Sequence, residues 1–318
     1  MKSSPDIVRT DTPVDAVIIW VDGNDPVLNA KRAQWAPEGA LENDNQGGKT
    51  RYADCGEIHW CVRSIRRFAP WIRRIFILTD GQDPHIEDGA VPVQIIDHKD
   101  VFRGMEQYLP VFNATAIESM IWRIPGLCER FIYFNDDFFI AKPVSPADFF
   151  TDEGVVCYAR PFSVPLERVL KRLHRDKTHF SFKGMMYNTA RLTGESKSFW
   201  RYDHTPRGLL RSFYEQCFSA HPDWLEHNIA YRFRSPEQFS MEELLYLDLS
   251  SRGKLKVLPA EGNLFFWRGG GSKKHFARKY SALLETECKF AAFNSIDKLD
   301  PDDARKVFEW MDSTLGSA

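Results

Sequence analysis

The sequence predicts an α/β fold: a mostly parallel sheet with helices between its strands, elaborated in the second half of the chain by a helical insertion. Three observations predict it. Four short runs rich in β-branched and aromatic residues each lead into a polar or acidic residue. Segments with helical spacing lie between those runs, and past about residue 160 the strand signal fades into helix-type patterns. With 318 residues, 43% apolar and 27% charged, the chain has apolar material for one large core.

The first predicted strand is Val14 to Val21, running into Asp22; Asn24-Asp25-Pro26 then opens a helix. The stretch Glu38 to Thr50 is polar and Gly-rich, which predicts a mobile loop over this first strand-helix junction. Ile58, Val62, Ile65 and Phe68/Ala69 share one helical face, and Arg74 to Thr79 follows as a strand into Asp80. Val93 to Ile96 into Asp97 is the third strand, and Ala116, Ile117, Met120, Ile121 and Ile124 mark another helix. Arg130 to Phe134 into Asn135 is the fourth strand.

Beyond it, Arg207 to Phe218, Trp224 to Phe233 and Phe239 to Leu249 read as helices. Strands are expected at Leu255 to Leu258, Leu264 to Trp267 and Lys289 to Phe293, with helices at Ala277 to Leu284 and Asp302 to Thr314. The domain expectation is a core from residues 1–160 and 253–318, with 161–252 as a helical insertion or lid that completes the site.

Composition narrows the function. The 42 basic and 44 acidic residues leave a net charge of −2, so no global positive field draws in nucleic acid. The segment MKSSPDIVRT carries no apolar signal-peptide core, and the longest apolar run is short and interrupted by Asp15. The expectation is a cytoplasmic protein with no transmembrane segment. Six cysteines without a C-x-x-C pair read as reduced thiols.

Ligands of open α/β sheets sit beyond the carboxyl ends of the strands, where Asp22, Asp80, Asp97, Asp136 and Asp137 fall. That predicts an acidic, metal-assisted site. Phe131-Ile-Tyr-Phe-Asn-Asp-Asp-Phe-Phe-Ile140 places adjacent carboxylates directly after an apolar strand. Such a pair suits a hard cation, which takes one or two carboxylates plus phosphate oxygens and waters; the alternative is a turn with one capping and one solvated Asp. Asp22-Gly23 is either an anion- or ribose-binding turn or an ordinary helix start. His204 has the residue type of a general base at neutral pH, or is structural. Arg63 and Arg234 are candidate phosphate clamps or solvated cations. Arg268-Gly-Gly-Gly-Ser-Lys-Lys-His275 either meets an anionic acceptor or is a solvated loop; it lacks P-loop spacing.

Taken together, several ordered segments resemble the Stealth family of sugar-1-phosphate transferases, which includes bacterial capsular-polysaccharide phosphotransferases and the animal enzyme that builds the mannose-6-phosphate lysosomal tag. Ile19-Trp-Val-Asp-Gly-Asn-Asp-Pro26 is similar to the first family block. The second is echoed by Arg51-Tyr-Ala-Asp-Cys-Gly-Glu57, by Arg63 through Gln82, and by Asp97-His-Lys-Asp100. It continues through Leu109-Pro-Val-Phe112, Ala116-Ile-Glu-Ser119 and Phe131 to Asp137. The third is similar at His204-Thr-Pro206 and at Arg234-Ser-Pro-Glu237 running into Phe239 to Tyr246. The fourth, an Asn-Asp pair in the family, is Phe293-Asn-Ser-Ile-Asp297 here, with Asn294 or Asp297 as stand-ins.

The resemblance implies a nucleotide-sugar-binding, glycosyltransferase A-like core. It implies Asp136, Asp137 and, with the departure just noted, Asn294 at a Mg²⁺ or Mn²⁺ and diphosphate site. His204, Arg234, Glu118 and Asp137 are then the catalytic set, and Asp22, Gly23, Arg63 and Asn135 the donor contacts. The expected reaction moves a hexose- or N-acetylhexosamine-1-phosphate from a UDP-sugar to a saccharide hydroxyl, releasing UMP. The setting would be capsular or cell-surface polysaccharide synthesis, with peripheral association to an assembly complex at the inner membrane face. Two other readings stand beside it: a metal-dependent glycosyltransferase that releases UDP, and a catalytically silent carbohydrate-binding relative.

Overall fold

The computed structural model describes residues 12–42, 48, 52–173 and 180–316. Arg51, most of the Gly-rich end of the 38–50 segment and the MKSSPDIVRT segment lie outside them. Strand β1 (Val14–Ile19) leads through helix α1 (Pro26–Trp35) and α2 (Glu57–Phe68) to β2 (Ile75–Thr79) and β3 (Val93–Asp97). Next come α3 (His98–Val101), α4 (Ala114–Glu118), β4 (Arg130–Asn135), β5 (Phe138–Ile140) and β6 (Val155–Ser163). The insertion holds α5 (Val164–Leu173), α6 (Phe182–Leu192), β7 (Ser198–Tyr202), β8 (Arg207–Leu210), α7 (Arg211–Ala220), α8 (Pro222–Ile229) and α9 (Met241–Ser251). The chain closes with β9 (Leu255–Leu258), β10 (Leu264–Arg268), α10 (Lys273–Leu284), β11 (Phe290–Asn294) and α11 (Pro301–Leu315).

The central sheet has the order β3-β2-β1-β4-β8. Its first four strands are mutually parallel and β8 pairs antiparallel with β4. The register aligns Ile19 with Asn135 and Thr79 with Asp97, so the carboxyl ends of these strands finish nearly level. Two three-stranded sheets, β10-β11-β5 and β7-β6-β9, complete the α/β fold anticipated from the sequence. Strands β1, β2 and β4 are buried on both faces, which is why their sequences are almost uninterrupted apolar runs, whereas β3 is an edge strand with Ile95 exposed. The interruption at Asp15 is resolved by pairing: Arg73 donates from Nε and Nη2 to its two carboxylate oxygens at 2.8 and 2.7 Å, and Cys128 N–H donates at 2.8 Å.

The structure corrects three details. Arg207 to Phe218 is not one helix, since Arg207–Leu210 forms β8 before α7 begins. Gly208 explains the departure: a side chain there would meet the Phe149 carbonyl at 2.5 Å, and its absence lets the chain lie flat against the core as an edge strand. The 161–252 segment is therefore not helical alone, because it adds one strand to the central sheet. The helix expected across Ala116 to Ile124 ends at Glu118, where Ser119 turns its hydroxyl back onto the Thr115 carbonyl at 2.9 Å.

Asn24-Asp25-Pro26 behaves as a helix start: Asp25 caps α1 by accepting from Val27 N–H at 2.8 Å, with Pro26 in the first turn. Among the described residues no helix is long and apolar enough to cross a membrane, and all six cysteines are free thiols.

Candidate active site

A cavity of about 680 Å³ opens beyond the carboxyl ends of β1, β3 and β4, and residues of the 161–252 segment contribute to its lining. Asn135, Asp136, Asp137, Glu118, His204, Arg234 and Asn294 all line it, so seven residues marked in the sequence share one space. The chain brings them from four separate regions.

The floor is acidic. Asp136 and Asp137 form the turn between β4 and β5, and Asn294 at the end of β11 donates its amide to the Asp137 carboxylate. Glu57, the first residue of α2, joins them from the side. The left-handed backbone of Gly56, at φ 86°, turns the chain so that the Glu57 carboxylate accepts from Cys55 N–H at 2.7 Å. Burial, then repulsion from Asp136, pushes the Glu57 carboxyl up to about 8. Burial, then Glu57, pushes Asp137 up to about 7, and burial with Asp137 and Asp54 raises Asp136 well above the usual carboxylate range.

The opposite wall is basic and aromatic. Arg207, at the start of β8, points beneath the cavity with 4% exposure and pairs through Nη1 with Glu242 Oε1 at 3.0 Å. Its guanidinium carbon lies 4.8 Å from the Tyr202 ring centroid and 5.5 Å from that of Phe138. Burial opposes its charge, but Glu242 and the surrounding phenols outweigh it and hold Arg207 firmly protonated. His204 lies flat against Phe266, with centroids 4.6 Å apart. Burial first, then Arg207, Arg268 and Arg234, pulls its imidazole down to about 4, so His204 is neutral at pH 7.

Glu118 links the two halves. Its Oε1 accepts from Tyr133 O–H at 2.7 Å, and the same phenol meets the Asn135 side chain. Burial, then Glu242, raises Glu118 to about 7 against the pull of Arg207. Arg234, over the Phe180 ring at 4.8 Å, is carried by a segment fixed from below. The Asn113 side-chain amide donates to the carbonyls of Tyr231 and Phe233 at 3.1 Å and to Gln238 Oε1 at 2.7 Å. Asn113 also caps α4, so one buried amide sets both Glu118 and Arg234. Arg268 and Gly269 form part of the rim. A side chain on Gly269 would strike the Ser295 carbonyl at 1.9 Å, which explains the glycine beside that arginine.

Five expected contributors lie elsewhere. Asp22 and Gly23 are not in the cavity lining: Asp22 Oδ1 accepts from Asn24 N–H at 2.7 Å in a local turn. Gly23 is pressed against the Tyr52 backbone, where a side-chain carbon would meet the carbonyl at 1.5 Å. Arg63 sits on the part of α2 that packs toward the end of α11, beside Gly316, and does not reach the cavity. Of the other strand-end acids, Asp80 pairs with Lys31 at 2.5 Å and Asp97 caps α3. Asp297, by contrast, does line the cavity. Glu57, His98 and Arg207 line it too, without having been assigned a role from the sequence. Glu57 stood inside a quoted motif; nothing in periodicity distinguishes Arg207 from the other arginines.

Fold and cavity together define an α/β protein whose candidate site sets a carboxylate turn at the end of a parallel strand against clustered arginines. Residues 51–158 match the profile of a family described as Stealth protein CR2, conserved region 2. The chain is similar to the receptor polysaccharide phosphotransferase WefC of Streptococcus gordonii, 31% identical over 297 residues that cover 82% of this chain and 88% of that protein. It is also similar to the capsular polysaccharide phosphotransferase WcwK of Streptococcus pneumoniae, 28% identical over 280 residues, 79% of this chain and 82% of that one. The chain belongs to the Stealth family of bacterial phosphotransferases and is a transferase. Among solved structures it is similar to the galactosyltransferase LgtC in complex with donor and acceptor sugar analogs, at 12% identity and a TM-score of 0.48, covering 94% of this chain and 96% of that one.

Proposed function

We propose that this chain transfers a hexose- or N-acetylhexosamine-1-phosphate from a UDP-sugar to a saccharide hydroxyl, forming a phosphodiester and releasing UMP. The observation that carries this reading is the two-sided cavity, with a carboxylate turn facing an arginine wall and a neutral histidine between aromatic rings. The relatives named as polysaccharide phosphotransferases support it. Capsular or other cell-surface polysaccharide synthesis is the corresponding setting, with cytoplasmic placement and peripheral association at the inner membrane face as part of the same proposal.

The floor fits a hard divalent cation. Desolvation first, then mutual repulsion, raises the pKa values of Glu57, Asp136 and Asp137, and an all-oxygen set of this kind suits Mg²⁺ or Mn²⁺. Among the described residues no group of three His, Cys, Asp or Glu side chains is placed to hold a metal ion, so phosphate oxygens and waters would have to supply the remaining ligands. Asp136 and Asp137 would hold the ion with Asn294 beside them, and the ion would supply Lewis-acid stabilisation of the phosphoryl oxygens.

The protein's own groups divide the remaining work. Arg234 and Arg268 meet the diphosphate charge, and buried Arg207 adds a fixed positive field behind them. His204 takes the acceptor hydroxyl proton: it is neutral at pH 7, and the anionic donor offsets the arginines that depress its basicity. Glu118, held by Tyr133, orients the acceptor. The attacked atom is the phosphorus bearing the sugar, so the bond between the sugar's anomeric carbon and its oxygen survives.

Incubating the purified chain with UDP-sugars, Mg²⁺ and oligosaccharide acceptors tests the reading, with nucleotide chromatography and phosphorus NMR as readouts. UMP together with a new phosphodiester signal is expected. UDP release with no phosphorus in the product would replace this reading with glycosyl transfer.

A further inference from the structure

His98 is the first residue after β3 and stands apart from the acidic floor and basic wall. It is 1% exposed and lines the cavity, and neither ring nitrogen has a hydrogen-bond partner among the described residues. A buried imidazole without partners is destabilising unless something completes it, so two unsatisfied nitrogens at a cavity wall point to a ligand or a bound water. The same cavity lining includes the apolar Val21, Leu28 and Val111, while Asp80 and Asp97 act on the imidazole from the strand ends. Nδ1 lies 4.0 Å from Asp80 Oδ1, and Asp80 is itself paired with Lys31.

The sheet order sets the scale. From β3 to β4 there are three strand spacings, each about 4.8 Å, so the His98 end lies roughly 14 Å from the Asp136 end. That span accommodates an extended nucleoside diphosphate with its phosphates over the carboxylates. Resting on the nucleotide-sugar reading above, we propose that His98 hydrogen-bonds the edge of the donor's nucleobase and that this end of the cavity holds the base.

The side-chain chemistry suits that task. Asp80 on the Nδ1 side favours a proton on Nδ1, which leaves the Nε2 lone pair to accept from an N–H of the base. Burial first, opposed by Asp80 and Asp97, takes the imidazole down to about 4, so it is neutral and offers one donor and one acceptor at neutral pH. A water that satisfies the ring in the free protein is displaced by the base, with little net loss if the base reproduces its hydrogen bond.

The experiment titrates UMP, CMP, GMP and AMP into the native chain, His98→Phe and His98→Gln in the presence of Mg²⁺, by calorimetry, with thermal unfolding to verify folding. UMP is expected to bind the native chain best, to lose at least about ten-fold in His98→Phe, and to recover part of that loss in His98→Gln, which restores a donor and an acceptor. Equal UMP affinity in native and His98→Phe proteins overturns the assignment of His98 and leaves the donor reading standing. Failure of all four nucleotides to bind the native chain overturns both.

Discussion

The floor and the wall of the cavity both carry ionisable groups, yet they hold them in opposite ways. On the wall, Arg207 is matched by Glu242 at 3.0 Å and wrapped by aromatic rings, so its charge is permanent and its position rigid. On the floor, Glu57, Asp136 and Asp137 face one another, and their proton affinities rise to share the strain. A matched ion is part of the scaffold, whereas crowded carboxylates hold their protons more tightly. His204 is kept neutral by burial first and then by the arginines around it.

Removing a floor carboxylate gives the sharpest break between the two regions. Asp137→Ala is expected to lower turnover by at least about 10³-fold while leaving the melting temperature unchanged or raised, because a repulsive charge has gone. UMP release and thermal unfolding check both halves. Native turnover in this variant would show that the floor is scaffold after all.

The wall should respond in the contrary sense. Arg207→Met strands Glu242 at 1% exposure and is expected to destabilise the fold by about 3–5 kcal/mol in denaturant titration. Arg207→Met combined with Glu242→Leu should restore most of that stability without restoring activity. Recovery of turnover along with stability would mean that Arg207 serves only the fold.

The smallest effect lies where the regions meet. Glu118 titrates at about 7 in the folded protein against an ordinary value of 4.5, so its ionisation destabilises the fold. Its stabilising contribution is complete below about pH 4.5 and is lost as pH rises through about 7. Glu118→Gln keeps an acceptor for Tyr133 and is expected to melt about 2 °C above the native chain at pH 8, with no gain near pH 4.5. An equal difference at both pH values would place its raised affinity elsewhere.

Much of this was legible along the chain. Parallel strands buried on both faces must be written as continuous apolar runs, so β1, β2 and β4 were visible within two residues of their ends, and the edge strand β3 kept enough β-branched residues to be found as well. Asp136 and Asp137 stood out because a carboxylate pair between two apolar strands has few structural uses. Other strand-end acids misled: Asp22, Asp80 and Asp97 carry the same signal, but local turns, a lysine and a helix cap consume them. Arg63 matched a motif and faces away, since sequence spacing alone does not fix how α2 is rotated against the core.

The sequence by itself determined the α/β class, the parallel strands, the carboxylate turn and the membership in a family, because these depend on periodicity and on contiguous residues. Only the tertiary structure decided that β8 edges the central sheet, that Glu57 joins the acidic floor, that Arg207 lies behind His204 and that His98 faces the cavity. Those facts depend on which distant segments share a space. A residue's charge state and chemical use are set by neighbours tens or hundreds of positions away, and local spacing carries no record of them.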